Sequence, residues 1–158
     1  MRARLKTFAV GIIVGAVTAL AAPTASAMIP ANAATVQQSL NNYDNARLTY
    51  VASLNVYLSH SRMSKGEYAI ALKNFTMAQG LLQIAKREIA KTFQDSLKVA
   101  QIQNKAATKA AKTPEQRAAA AVAWTTAVTA AATSRDNAID SLKQLPAAPA
   151  KPLRNAKP

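Results

Sequence analysis

The chain has 158 residues, of which half are hydrophobic, and its 20 basic and 7 acidic residues give a formal net charge of +13. This length is sufficient for one domain with a modest core, and it is short for two. The chain has no cysteine, which excludes a disulfide scaffold and a lipid-modified cysteine anchor. The fold therefore depends on apolar packing or on a partner.

The first 27 residues have the three-part pattern of a secretory signal peptide. Three basic residues lie within the first six, an uncharged run follows from Thr7 to Ala22, and Ala25-Ser26-Ala27 fits a signal-peptidase site. The apolar run is shorter than the roughly 20 residues that a helix needs to span a bilayer. We therefore expect export by the Sec route, cleavage after Ala27 or somewhat later, no permanent membrane span, and a secreted or cell-envelope protein.

The remaining chain is strongly basic. Without the three bases of the signal peptide, 17 basic and 7 acidic residues leave a net charge of +10. Such a surface attracts anions in a salt-dependent manner. We expect an anionic envelope polymer or a protein partner, and export makes nucleic acid an unfavourable candidate.

The first predicted helix covers residues 34–59. The chain here is rich in alanine and has no proline from Ala31 through Thr113, which favours helix. Arg47 interrupts an otherwise apolar face, and its guanidinium has Asp44 as a nearby carboxylate. The apolar positions recur at spacings of three, four or seven and predict one buried face: Val36, Leu40, Tyr43, Tyr50, Leu54 and Tyr57.

The second predicted helix covers residues 64–110. Ser64 and Glu67 have the spacing of a capping box, and Met63 and Tyr68 that of a hydrophobic staple. The apolar residues that follow keep a helical period: Tyr68, Leu72, Phe75, Leu82, Ile89, Phe93 and Leu97.

The third predicted helix covers residues 114–145. Thr113 is a suitable N-cap, Pro114 suits the first helical position, and Gln116 has the capping-box position. Much of the expected seam consists of methyl groups, which bury less area than leucines would. Its members are Ala121, Trp124, Val128, Ala131, Ala138, Leu142 and Leu145.

These elements predict an all-α fold. Residues 28–145 would form one helical domain, either an up-down-up bundle or an extended hairpin with the third helix laid against it. Residues 146–158 are basic and contain four prolines, a composition that predicts a disordered, partly polyproline tail.

The start of the second helix resembles the central part of a tetratricopeptide repeat. Gly66, Tyr68, Ala71, Phe75 and Ala78 follow the family's G-x-Y-x-x-A-x-x-x-F-x-x-A order over about one helix. The resemblance implies a helical hairpin with close helix crossing and protein binding in a groove. An array is not indicated, because the pattern has no second copy at a period near 34 residues.

A series of lysines seven residues apart predicts a basic stripe on the second helix. Such a stripe, extended by Lys86, Arg87 and the basic tail, could follow a polyanion through charge neutralisation. The alternative interpretation is a solvated outer face without a ligand. The residues predicted to contact a polyanion are Lys91, Lys98, Lys105, Lys109, Lys112, Lys151, Arg154 and Lys157.

Tyr57 and His60 supply a second, less favoured hypothesis. They lie three residues apart and share a helix face, and both side chains can ligate haem iron, so a secreted haem carrier is an alternative. The competing interpretation is that Tyr43, Tyr50 and Tyr57 are half-polar core residues.

We expect no enzymatic activity. The chain has one histidine, no cysteine and seven scattered acidic residues, which gives neither a metal-ligand spacing nor a nucleophile motif. We therefore expect no metal and no cofactor other than the haem alternative. Membrane-surface binding and a homo-oligomeric coiled-coil assembly stay open.

Overall fold

The computed structural model describes residues 33–59 and 64–152, and this part of the chain contains helices and no strands. The three helices are α1 (Ala33–Ser59), α2 (Lys65–Ala110) and α3 (Pro114–Asp140). The all-α prediction is confirmed for these residues. The signal peptide, the Met63 part of the staple, His60 and residues 153–158 lie outside the described ranges.

Local side-chain bonds set the starts of α2 and α3. The Ser64 hydroxyl accepts a hydrogen bond from the Glu67 amide at 3.1 Å. At α3 the Thr113 hydroxyl accepts from the Gln116 amide, and the Gln116 side chain accepts from the Thr113 amide, each at 3.3 Å. These bonds satisfy amides that have no partner within the helix, which is why the starts were predictable within one residue.

Helices α1 and α2 pack antiparallel through their aromatic residues. The ring centroids of Tyr50 and Phe75 are 5.3 Å apart, and those of Tyr57 and Tyr68 are 5.9 Å apart. Seven residues forward along α1 therefore match seven residues backward along α2. The predicted inner face of α1 is confirmed, since its six apolar positions are all buried or half-buried.

Alanines complement the tyrosines of α1 at this interface. The three tyrosines of α1 and the three alanines spaced by seven on α2 are each at most 1% exposed: Tyr43, Tyr50, Tyr57, Ala71, Ala78 and Ala85. Small side chains let the helix backbones approach and leave room for the rings. The alanines were absent from the predicted apolar face of α2, although Ala71 and Ala78 belong to the tetratricopeptide-like pattern.

Helix α3 packs along the second half of α2. The Arg135 guanidinium lies 4.7 Å from the centre of the Phe93 ring. Both shorter helices contact α2, and contacts between α1 and α3 are few. The two shorter helices thus follow one another along α2, as in an extended hairpin, and do not share the common core of a three-helix bundle.

The end and the seam of α3 differ from the prediction. The helix ends at Asp140 with Ser141 as its C-cap, and not at residue 145. Ala120 is buried while the predicted Ala121 is exposed. Leu145 packs instead against the core formed by α1 and α2, so its burial there competes with continued helix.

The proline-rich segment also departs from expectation. We predicted a tail without fixed contacts from residue 146 onward. Residues 146–152 instead extend along α1, with Pro149 buried and Pro146 and Pro152 half-buried. Tyrosine hydroxyls supply hydrogen bonds to its carbonyl groups, an interaction that composition alone does not reveal.

Gly80 offers a direct test of the stability of α2. The helix continues through Gly80, and a Cβ atom built there meets nothing within 4 Å. Gly80→Ala should therefore raise the free energy of unfolding by about 0.5–1 kcal/mol, because alanine loses less backbone entropy in a helix. Thermal unfolding followed by circular dichroism measures this change.

The matched control is Ala90→Gly at an exposed position of the same helix. It should lower stability by a similar amount. An unchanged or lower stability of Gly80→Ala would show that α2 needs a special conformation at residue 80.

Candidate functional site

The outer side of α2 carries a row of cations. At 3.6 residues per turn, six exposed basic side chains fall opposite the stripe of buried alanines. They span 36 positions, or about 54 Å at 1.5 Å per residue. We call this set the basic face: Lys73, Arg87, Lys91, Lys98, Lys105 and Lys109.

Acidic residues neutralise little of the basic face. Asp95 lies 3.6 Å from the Lys98 ammonium, whose side chain is 70% exposed. An exposed pair of this kind is screened by solvent and contributes little. The cations of the basic face therefore stay accessible to an external anion.

The structure brings together four of the predicted polyanion-binding residues with Arg87 from the expected extension of the stripe, and it adds Lys73. Lys91, Lys98, Lys105 and Lys109 are exposed on α2. Arg87, which was expected to extend the stripe, is exposed on the same side. Lys73 also shares this side and was missed, although eighteen residues, its separation from Lys91, are five full helical turns.

Lys112 does not extend the helix stripe. Helix α2 ends at Ala110, and Lys112 lies in the connection to α3, where its backbone amide donates to the Gln116 side chain at 2.7 Å. Its side chain is exposed. Lys112 therefore lies beyond the end of the basic face.

Lys151 is separated from the predicted lysine series that begins at Lys91. Lys151 follows Ala150, which is bound by Tyr57, and Tyr57 packs on Tyr68 in the first turns of α2. Lys91 lies 23 positions further along α2, or about 35 Å. Arg154 and Lys157 lie outside the described residues, so the structure does not test them.

An exposed apolar row continues the lysine series toward the start of α2. Ile70, Met77 and Ile84 precede Lys91 at the same seven-residue spacing, and they are 57%, 50% and 47% exposed. The row changes from apolar to basic between Ile84 and Lys91. This part of α2 offers a contact surface for a protein, whereas the basic face offers one for an anion.

The tyrosines of α1 bind the proline-rich segment through its backbone. The Tyr43 hydroxyl donates to the Lys143 carbonyl at 2.5 Å, the Tyr50 hydroxyl donates to the Ala147 carbonyl, and the Tyr57 hydroxyl donates to the Ala150 carbonyl at 2.6 Å. Extended proline-rich backbone makes no internal hydrogen bonds, so its carbonyls are free to accept. Each buried hydroxyl thereby obtains a partner.

An ion-pair cluster holds the beginning of this segment. Asp44 contacts the Lys143 ammonium and the Arg47 guanidinium, each at 2.9 Å. Burial opposes ionisation of Asp44, but the hydrogen bonds from Lys143 and Arg47 outweigh it and lower the pKa of this carboxyl. The predicted pairing of Arg47 with Asp44 is thus present.

The tyrosine of the haem hypothesis is buried and already hydrogen-bonded. The Tyr57 ring is 0% exposed and its hydroxyl donates to Ala150, so iron ligation would require displacement of the proline-rich segment. His60 lies outside the described residues. Among the residues that are described, no group of three or more histidine, cysteine or acidic side chains could hold a metal ion.

Comparison of the chain with protein-family models, with curated proteins and with solved structures finds no match. Within residues 33–59 and 64–152, none of the helices has the length and apolar character needed to cross a membrane. The site must therefore be interpreted from its own geometry.

Burial makes the contribution of the three tyrosines to stability depend on pH. Loss of solvation raises the pKa of Tyr43, Tyr50 and Tyr57 above the usual value of about 10. Their contribution to stability is therefore complete below pH 10 and is lost as the pH rises through the higher folded-state values. Circular dichroism combined with tyrosinate absorbance should show unfolding coupled to ionisation above pH 10.

Tyr50→Phe supplies the comparison. It should be less stable at neutral pH by about 0.5–1.5 kcal/mol, and it should lose less stability above pH 10 because one titrating group is gone. Ionisation of all tyrosines at the usual pH, without unfolding, would contradict the buried arrangement.

Proposed function

We propose that this is an exported, non-catalytic, cationic helical binding protein of the cell envelope or extracellular space, and that its basic face contacts an anionic polymer. The observation that carries the proposal is the row of six exposed cations on one side of a single helix. A row about 54 Å long suits a linear polyanion better than a small anion.

The fold explains how the basic face is presented. Helices α1 and α3 both pack on the opposite side of α2, so they support the helix without covering its cations. Each contacted anionic group of the polymer would release condensed counterions, which supplies affinity without a shaped pocket. The polymer would be recognised by its charge spacing and length.

The location is inferred from the N-terminal segment. Three early bases, the uncharged run and Ala25-Ser26-Ala27 support export. An exported protein meets envelope polymers and other extracellular anions, which is why we favour these over nucleic acid.

A protein partner is the main alternative class. The exposed apolar row of Ile70, Met77 and Ile84 supports it, and the tetratricopeptide-like pattern would imply it. We favour the polymer because the basic face has twice as many members and extends further along the helix. The haem carrier is less favoured, since Tyr57 is buried and hydrogen-bonded.

The lysines can be tested with inorganic polyphosphate as the probe. Lys98→Gln combined with Lys105→Gln should weaken binding and reduce the slope of log K against log salt by roughly 1 to 2, since two charge contacts are lost. Isothermal titration calorimetry over a series of salt concentrations measures both quantities.

Lys86→Gln combined with Arg117→Gln is the matched control, because it removes the same charge from exposed positions outside the basic face. It should change the slope much less. Equal effects of the two double variants would exclude a localised polymer site.

The partner class is tested separately on isolated cell envelope. If retention of the protein on the envelope depends on Met77 and Ile84 but not on Lys98 and Lys105, the proposed ligand would be a protein and not an anionic polymer.

A further inference from the structure

We propose that the groove between α1 and α2 is a binding site for extended proline-rich segments, and that residues 143–152 are its intramolecular ligand, which a proline-rich segment of a separate polypeptide can displace. The proposal concerns the inner tyrosines and not the basic face, so the two can fail independently.

The spacing of the hydroxyl groups matches an extended proline-rich chain. From Tyr43 to Tyr57 the helix rises 14 positions, or about 21 Å. The carbonyls that they bind lie seven residues apart, from Lys143 to Ala150, which is about 22 Å at the polyproline II rise of 3.1 Å. One ligand thus satisfies all three tyrosines without a change of register.

The ligand segment has the periodicity of a polyproline helix. Pro146, Pro149 and Pro152 recur every three residues, the repeat of that helix, and all three are buried or half-buried. The carbonyls of Ala147 and Ala150 share the same three-residue spacing and accept from tyrosines. Prolines therefore face the protein while the intervening alanines stay exposed.

Both helices build the site. Leu145 packs on a cluster made by Ala46 and Tyr50 of α1 and Ala78 of α2. The tyrosines bind carbonyl groups, which every polypeptide has, while the apolar contacts select a leucine followed by prolines at intervals of three. Aromatic-lined grooves that bind proline-rich segments use this division of roles, because the ligand loses little entropy on binding.

The covalent connection of the segment to α3 sets the concentration at which a separate peptide can replace it in the groove. The segment extends directly from the C-cap of α3, so its effective concentration at the groove is in the millimolar range, as for a short linker. When the intrinsic Kd lies below this effective concentration, a free peptide of the same sequence should half-displace the segment at roughly millimolar concentration. A better ligand would displace it at proportionally lower concentration.

The absence of cysteine from the chain permits a clean displacement experiment on the full-length protein. Lys151 is exposed, and Lys151→Cys gives one labelling position on the ligand segment. A dye at this position should show lower fluorescence anisotropy as a peptide with the sequence of residues 142–152 is added, with a midpoint near millimolar. A peptide with its three prolines replaced by alanine should act at least several-fold more weakly.

The hydroxyl groups have their own test in the same labelled chain. Tyr50→Phe combined with Tyr57→Phe should release the segment without any peptide, so the anisotropy starts low while the helix content stays unchanged. The control is Tyr68→Phe, since the tyrosine hydroxyls that donate to the segment are those of α1. It should keep the wild-type anisotropy.

Two results would overturn the proposal. One is constant anisotropy up to peptide concentrations well above millimolar. The other is equal displacement by the proline-free peptide, which would mean that the groove accepts any apolar chain. If the double tyrosine variant loses its helices, the peptide titration on the labelled chain with native tyrosines still tests the proposal.

Discussion

The contact between the tyrosines of α1 and the alanines of α2 is the interaction on which the rest of the structure depends. The small alanine side chains let the two helix backbones approach and leave room for the tyrosine rings, and leucines such as Leu54 and Leu81 pack at the edge of this contact. Together they bury the rings while the hydroxyls reach the far edge of the helix pair. The hydroxyls then need acceptors, because a buried hydroxyl without a partner is costly. The proline-rich segment supplies them.

Among residues 33–59 and 64–152, an extended segment and not a third helix meets this requirement beside α1. Helix α3 covers the second half of α2, and the extended segment takes over where α3 ends. The interior carbonyls of a helix already accept an intrahelical hydrogen bond, so they are less available as acceptors for the hydroxyls of a neighbouring helix. An extended proline-rich chain has a free carbonyl at every residue. The core is consequently thin, and each of its contacts involves a narrow strip of side chains.

The same arrangement divides the molecule into two surfaces. The inner surface binds apolar and carbonyl groups in the segment from 143 to 152, whereas the outer surface of α2 presents cations to solvent. Lys151 lies near the start of α2 and far from Lys91, so the segment does not extend the lysine series that begins at Lys91. A polymer on the outer surface and a proline-rich ligand in the groove would contact different sides of α2.

The sequence by itself determined the helices, their starts and the inner face of α1. Capping pairs such as Thr113 with Gln116, and apolar residues at helical spacing, act over one or two turns and are therefore readable locally. It also gave four members of the basic face, because lysines seven residues apart share one side of any helix. Arg87 was expected as an extension of that row, whereas Lys73 was missed because it lies outside the series of lysines spaced by seven.

Only the tertiary structure decided where α3 ends, which alanines form the core and what the tyrosines bind. Tyr43 and Lys143 are 100 positions apart, so no local pattern links them. Alanine carries no signal that separates a buried from an exposed position, as neighbouring Ala120 and Ala121 show. The composition of residues 146–152 predicts disorder because it lacks a core of its own. The segment is ordered instead, because the groove offers three hydroxyl donors at the spacing of its carbonyls. This match exists only once the helices have packed.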